Sequence, residues 1–277
     1  MLRRADLCRP VDHVAAQSTH HAVLRCVPQG VGAVAAAVTE RVKIGFSVLV
    51  APIRPVPWLA AQVATLQHLS GDRLLLGVGS GGFPGAPFWQ ALGVEPGGRG
   101  RATDAALALL PRLLAGEPVQ VAEGRPPLVQ APAAAMPPVL VGGSETAFRR
   151  VLDHGDGWFP SLIGPADLAP AVARLRDLAA ERGVPRPSVT VGGHIVMGEG
   201  ESARLAYDAL VRNLIDVHGM LPDVAARVPM VARVPGELAE IFAAYQAAGA
   251  DRVVAGSDNA GWREQLEFMA EACRLLE

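Results

Sequence analysis

The sequence predicts an α/β fold of the (β/α)8, TIM-type barrel class, and three observations predict it. Apolar strands alternate with helices from residue 41 to the end of the chain. The strands are apolar at consecutive positions, as in a parallel sheet covered on both faces. No Pro/Gly/Ser-rich linker divides the series, and 277 residues suffice for one such domain spanning 1–277. A doubly wound sheet uses the same alternation. Six strands from residue 42 onward, with ADLCRPV (5–11) as a seventh weakened by Pro10, favour the barrel. In either fold, ligands sit at the C-terminal ends of the strands.

The elements follow in order. RVKIGFSVLVAP (41–52) reads as one buried strand stopped by Pro52. VPWLAAQVATLQHLS (56–70) is a helix with Pro57 in its first turn and Leu59, Val63 and Leu66 on one face; Gly71 ends it. A strand over 73–79 follows, and then RATDAALALLPRLLAG (101–116), a helix that Pro111 should break. PPVLVGGS (137–144) is a strand running into glycines, ETAFRRVLDHG (145–155) a helix and DGWFP (156–160) a short strand. A helix over 165–183, a strand over 188–198, helical stretches over 201–218 and 235–248, a strand over 250–257 and a helix over 262–276 complete the chain.

Composition narrows the function classes. Half the residues are hydrophobic and 19% are charged, with a net charge of −2. This is a globular composition with no global positive field to draw nucleic acid or an anionic membrane. Cys8, Cys26 and Cys273 are odd in number, which suits a reducing, cytoplasmic compartment. MLRRADLCRPVDHV has no apolar stretch behind its arginines, so no signal peptide is read, and no membrane span. No metal-ligand spacing is visible.

DRLLLGVGSGG (72–82) raises the central question. An apolar strand opens into Gly79, Ser80, Gly81 and Gly82, backbone with almost no side chains. LVGGSET (140–146) ends alike and leads straight into a helix. There Gly142, Gly143, Ser144 and Thr146 would offer backbone N–H groups and two hydroxyls to an anion such as a phosphate. The alternative is a tight turn with Ser144 as an N-cap. GVGSGG lacks the spacing of a dinucleotide fingerprint, and no nicotinamide-binding motif is present.

TERVKIGFSVLVAPIRPVPWLAAQVATLQHLSGDRLLLGVGSGG (39–82) resembles the luciferase-like monooxygenase family, flavin- or deazaflavin-dependent oxidoreductases on a (β/α)8 barrel. The residues that fit are Thr39, Arg41, Gly45, Val48, Ala64, Thr65, Leu66, Leu69, Ser70, Gly71, Arg73, Gly77 and Gly79. PPVLVGGS followed by GDGWFP fits a later pair of family strands. The resemblance implies a cofactor ring over the strand ends, lined by Phe46, Ser47, Val48, Gly79, Ser80 and Gly81. It implies a phosphate held by Gly142, Gly143, Ser144 and Thr146. A ring packed on bare backbone would explain glycine at 79 and 81. VDHV (11–14) resembles the family's D-H, which implies His13 as acid/base with Asp12 beside it.

The resemblance also implies departures. Only about a dozen residues precede Asp12, so the family's first strand and helix are expected to be missing. Gly82, Phe83 and Pro84 stand where deazaflavin-dependent members often carry a glutamate. The expected activity is monooxygenation of a small organic substrate with reduced FMN from a separate flavin reductase and O2, in a homodimer. The alternatives are hydride transfer with a deazaflavin coenzyme, or a flavin-binding protein or partner subunit without turnover. Arg99 and Arg101 read as a solvated helix start or as anion contacts, and Trp158 as packing.

Overall fold

The computed structural model describes residues 28–82, 89–90, 92–95, 97–257 and 259–276. They fall into two compact units. One comprises 28–160 with Arg174–Thr190; the other comprises Ser161–Ala173 and the chain from Val191 onward.

The first unit is built on parallel strands. β1 (Ile44–Gly45) and β2 (Leu49–Val50) both pair with β3 (Leu74–Gly79). β3 pairs with β4 (Val139–Gly142), β4 with β5 (Gly157–Phe159), and β5 with the start of β6 (Ser188–Met197). β3 lies between two parallel neighbours, so its LLLGVG run is apolar throughout, with Leu74, Leu76 and Val78 buried.

The strand read over 41–52 is broken in two, and the register explains the break. Gly45 pairs with Leu75 but Leu49 pairs with Val78, so one more residue is spent on the β1–β2 side than on β3. That is a bulge over Phe46–Val48, and the Ser47–Val48 peptide within it is cis. The bulge also explains the glycine inside the apolar run. A Cβ on Gly77 would stand 1.7 Å from the Phe46 carbonyl oxygen, so no larger residue fits.

Helices cover these strands. Val56–Ser70 buries Leu59, Val63 and Leu66, as read, and closes on Gly71 at φ 61. Arg99–Leu114 runs unbroken through Pro111, against the break read from the sequence. Pro111 is exposed and stands in the last turn, while Leu110, Leu113 and Leu114 beside it are buried. A proline on the exposed side of the last turn forgoes one bond near the helix end, where the cost to the helix is small. Pro28–Val38, unread in the sequence, packs on Val56–Ser70.

Arg73, just before β3, fastens the base of this unit. Its side chain is buried and donates only to oxygens of neighbouring segments. Nη1 reaches the Val42 carbonyl at 2.7 Å and the Thr39 hydroxyl at 2.9 Å. Nη2 reaches the Ala36 carbonyl at 2.9 Å and the Thr39 carbonyl at 2.8 Å, and Nε the Ser70 carbonyl at 2.5 Å. Asp156 does similar work one strand over. Its carboxylate accepts from the Val139 N–H at 2.7 Å, and its carbonyl accepts from the Ser188 N–H at 3.0 Å.

In the second unit, the far part of β6 pairs with β7 (Met230–Ala232), a strand the sequence did not announce, and with β8 (Arg252–Ser257). The Asn259 side chain extends this pairing by accepting from Met197 N–H at 3.1 Å and donating to its carbonyl at 2.7 Å. Helices Gly200–Asp216, Pro235–Ala247 and Trp262–Arg274 belong to this unit. No helix among the described residues is long and apolar enough to cross a membrane.

Candidate functional site

Asp12 and His13 lie outside the described residues, as do Phe83 and Pro84. The other candidates all belong to the first unit, and parallel pairing places them at one end of it. The register sets Val50 beside Gly79 and Val78 beside Val141, so the C-terminal ends of β2, β3 and β4 stand together. Phe46, Ser47 and Val48 precede β2; Gly79, Ser80 and Gly81 end β3; Gly142, Gly143, Ser144 and Thr146 follow from β4.

Packing gives glycine at these strand ends a source within the chain. A Cβ on Gly79 would come 2.7 Å from Val48 Cγ2, and one on Gly142 would come 3.1 Å from both Val48 methyls. One valine side chain therefore fills the space that two glycines leave. Gly81, at φ 75, has Trp89 Cζ2 2.6 Å from its Cβ position. Beyond it, a Cβ on Gly82 would meet nothing within 4 Å.

Arg99 holds this turn from the main-chain side. Its Nη1 donates to the Gly81 carbonyl at 2.5 Å and the Gly82 carbonyl at 3.2 Å, and its guanidinium lies 5.1 Å from the Trp89 ring centroid. The charge read as a solvated helix start or an anion contact thus grips backbone carbonyls. Arg101 is exposed.

The β4 turn is more open. Gly143, at φ 136, takes a conformation that favours glycine. Ser144 holds the N-cap position of the short 3-10 helix Glu145–Ala147 with extended backbone, but makes no side-chain cap hydrogen bond. Its hydroxyl instead lies 3.0 Å from the Thr146 hydroxyl, and both residues are exposed. The capping read as the alternative for Ser144 is therefore not made. The first N–H groups of such a turn have no acceptor within it, and the Ser144 side chain does not supply one.

Two neighbours shape the turn. The Trp158 indole N–H donates to the Gly143 carbonyl at 2.8 Å. Arg174 pairs with Glu145, offsetting the one acidic side chain of the turn. Behind it, Asp104 accepts from Arg149 at 2.8 Å and from Arg150 at 2.5 Å, joining helix Arg99–Leu114 to helix Phe148–His154. Burial raises the Asp104 pKa, but bonds and charge from Arg150 and Arg149 outweigh it and hold the carboxyl below its ordinary value. Among the described residues, no three His, Cys, Asp or Glu side chains come together as a metal site.

This arrangement of strand ends can be set beside known proteins. The sequence profile of the luciferase-like monooxygenases matches residues 14–273. The chain belongs to the luciferase-like monooxygenase family. An uncharacterised protein of Mycobacterium bovis is 33% identical over 156 residues, 54% of this chain and 53% of that protein. The chain thus spans about half the length of the curated relatives it first matches. Among solved structures, an F420-dependent secondary alcohol dehydrogenase in complex with an F420–acetone adduct superposes with a TM-score of 0.77 at 16% identity, covering 93% of this chain and 86% of that one. Monooxygenase RslO1 from Streptomyces bottropensis superposes with a TM-score of 0.72 at 18% identity, covering 90% of this chain and 81% of that one. At such identities the likeness shows the fold, and it is that of the family's α/β barrel.

Proposed function

We propose that this luciferase-like protein is a flavin-dependent monooxygenase taking reduced FMN, delivered by a separate reductase, and O2 to a small organic substrate. The observation that carries the reading is the β4 turn. Its N–H groups have no side-chain cap, two hydroxyls stand 3.0 Å apart, and its glycine occupies φ 136. Backbone donors and hydroxyls of this kind suit a phosphate dianion. Gly142, Gly143, Ser144 and Thr146 would hold the phosphate. The ring would lie against Phe46–Val48 and Gly79–Gly81, with Val48 giving that wall an apolar side chain. When bound, the flavin supplies the redox chemistry. This chain's part is to orient it, exclude water and, through His13 beside Asp12, move a proton at the substrate.

A second reading, hydride transfer with a deazaflavin coenzyme, is favoured by the F420-dependent dehydrogenase among the structural neighbours. We place the chain in the cytoplasm as a single-domain homodimer. The outward valines of helix Pro28–Val38, Val31, Val34 and Val38, are exposed and support pairing. Titration with FMN and with the deazaflavin coenzyme tests the choice. Binding of FMN with reductase-dependent oxygen uptake supports the monooxygenase; quenching by the deazaflavin alone overturns it. Gly143→Asp sets a negative charge in the turn and should abolish binding of either cofactor. Retained affinity would show that the phosphate rests elsewhere.

A further inference from the structure

We propose that Trp158 is the positioning residue of the phosphate turn: by holding the Gly143 carbonyl, its indole N–H aims the Ser144 N–H at the bound phosphate. The inference rests on the reading of Gly142–Thr146 as the phosphate site. Trp158 is 1% exposed, and its ring meets Phe148 edge-on at 4.9 Å between centroids. Phe148 begins the helix that leaves the turn, so the indole is locked by the segment it serves. Its Nε1 donates to the Gly143 oxygen at 2.8 Å.

The peptide after that carbonyl joins Gly143 to Ser144 and is not among the cis bonds. In a trans peptide the C=O and the next N–H point in opposite directions. A carbonyl drawn inward to a buried indole therefore turns the Ser144 N–H outward, on the side of the exposed Ser144 and Thr146. Gly143, with no Cβ, opposes little resistance to rotation of the peptide plane that follows it. Without the indole donor, the Gly143–Ser144 plane is free to turn and to present a carbonyl oxygen where a phosphate needs a donor. The chain thus uses a core tryptophan to choose which end of a peptide dipole faces the ligand.

Trp158→Phe removes the N–H and keeps an aromatic ring for Phe148 to pack against. Affinity of the full chain is measured for FMN and riboflavin, and for the deazaflavin coenzyme and its phosphate-free core. Wild type should prefer the phosphorylated member of the pair it binds. The variant should lose about tenfold of that preference, the loss of a hydrogen bond to a charged group, with the phosphate-free affinity unchanged. An undiminished preference in Trp158→Phe overturns the role of Trp158 while leaving the phosphate turn standing. Wild type that binds both members equally, or neither pair, overturns the phosphate site and this proposal with it. Should the variant fail to fold, the Ser144 amide resonance of wild type decides. FMN must shift it and riboflavin must not; equal shifts overturn the proposal.

Discussion

At the base of β3, Arg73 gives its donors to oxygens contributed by Ala36, Thr39, Val42 and Ser70. At the C-terminal ends of β3 and β4, turns are held by one side chain each, Arg99 on Gly81 and Gly82 and Trp158 on Gly143, and Ser144 and Thr146 are exposed. The difference separates scaffold from site. Polar groups that are mutually satisfied stabilise the fold and have nothing left to offer a ligand. Exposed groups that pair only with each other contribute little to stability and are available for binding. Four of the thirteen residues that fit the family, Thr39, Ser70, Gly71 and Arg73, belong to the base.

The comparison can be broken most readily at the bulge, where the two ends meet. Gly77→Ala drives a Cβ against the Phe46 carbonyl at 1.7 Å, and we expect a loss of about 4 kcal/mol. Thermal unfolding would read this as a drop of roughly 10 °C; an unchanged midpoint would mean that the bulge yields. Next is Arg73→Met, which keeps the apolar stem and strands the carbonyls. Urea unfolding should show a loss of about 3 kcal/mol, and Arg73→Lys should recover only part, since one ammonium cannot span the acceptors. Full recovery by lysine would show that charge rather than the guanidinium fork closes the base.

Smaller effects belong to the open end. The folded pKa of Asp104 lies below its ordinary 3.8. Its stabilisation is therefore present above the unfolded value and lost as pH falls through the folded one. Asp104→Asn should cost about 1 kcal/mol at pH 7, and the gap to wild type should begin to narrow only as pH falls below the ordinary 3.8 and close as it passes the lower folded value. A gap that stays constant throughout acid titration would assign the effect to packing. Thr146→Ala, at an exposed hydroxyl, should leave stability within about 0.5 kcal/mol while weakening FMN relative to riboflavin. A large loss of stability instead would move Thr146 to the scaffold side.

What the sequence disclosed follows the same division. β3 to β6 and the helix Val56–Ser70 were legible because buried parallel strands are uniformly apolar and Pro57 and Gly71 mark the helix ends. The bulge at Phe46–Val48 was not, because it exists only in register against β3. Pro28–Val38 contains two glycines and no charge, and valines lie on its outer face, so it lacks the polar side that announces a helix. β7 is three residues long, too short to show a period. At the site, the glycines were visible, but the side chains packed against Gly79 and Gly81, Val48 and Trp89, were not, because only folding creates their proximity. Trp158 read as packing because its N–H partner is a main-chain oxygen, which carries no sequence signature.

Arg73 binds almost wholly to peptide oxygens, and every residue type carries one of those. Ala36 and Val42 can be exchanged for other side chains of suitable size without loosening its grip, whereas Arg73 itself has no substitute. Lineages could therefore rewrite the surroundings of this arginine freely while the arginine stays fixed. Dissimilar sequences can share this closure, since most of its acceptors are main-chain oxygens.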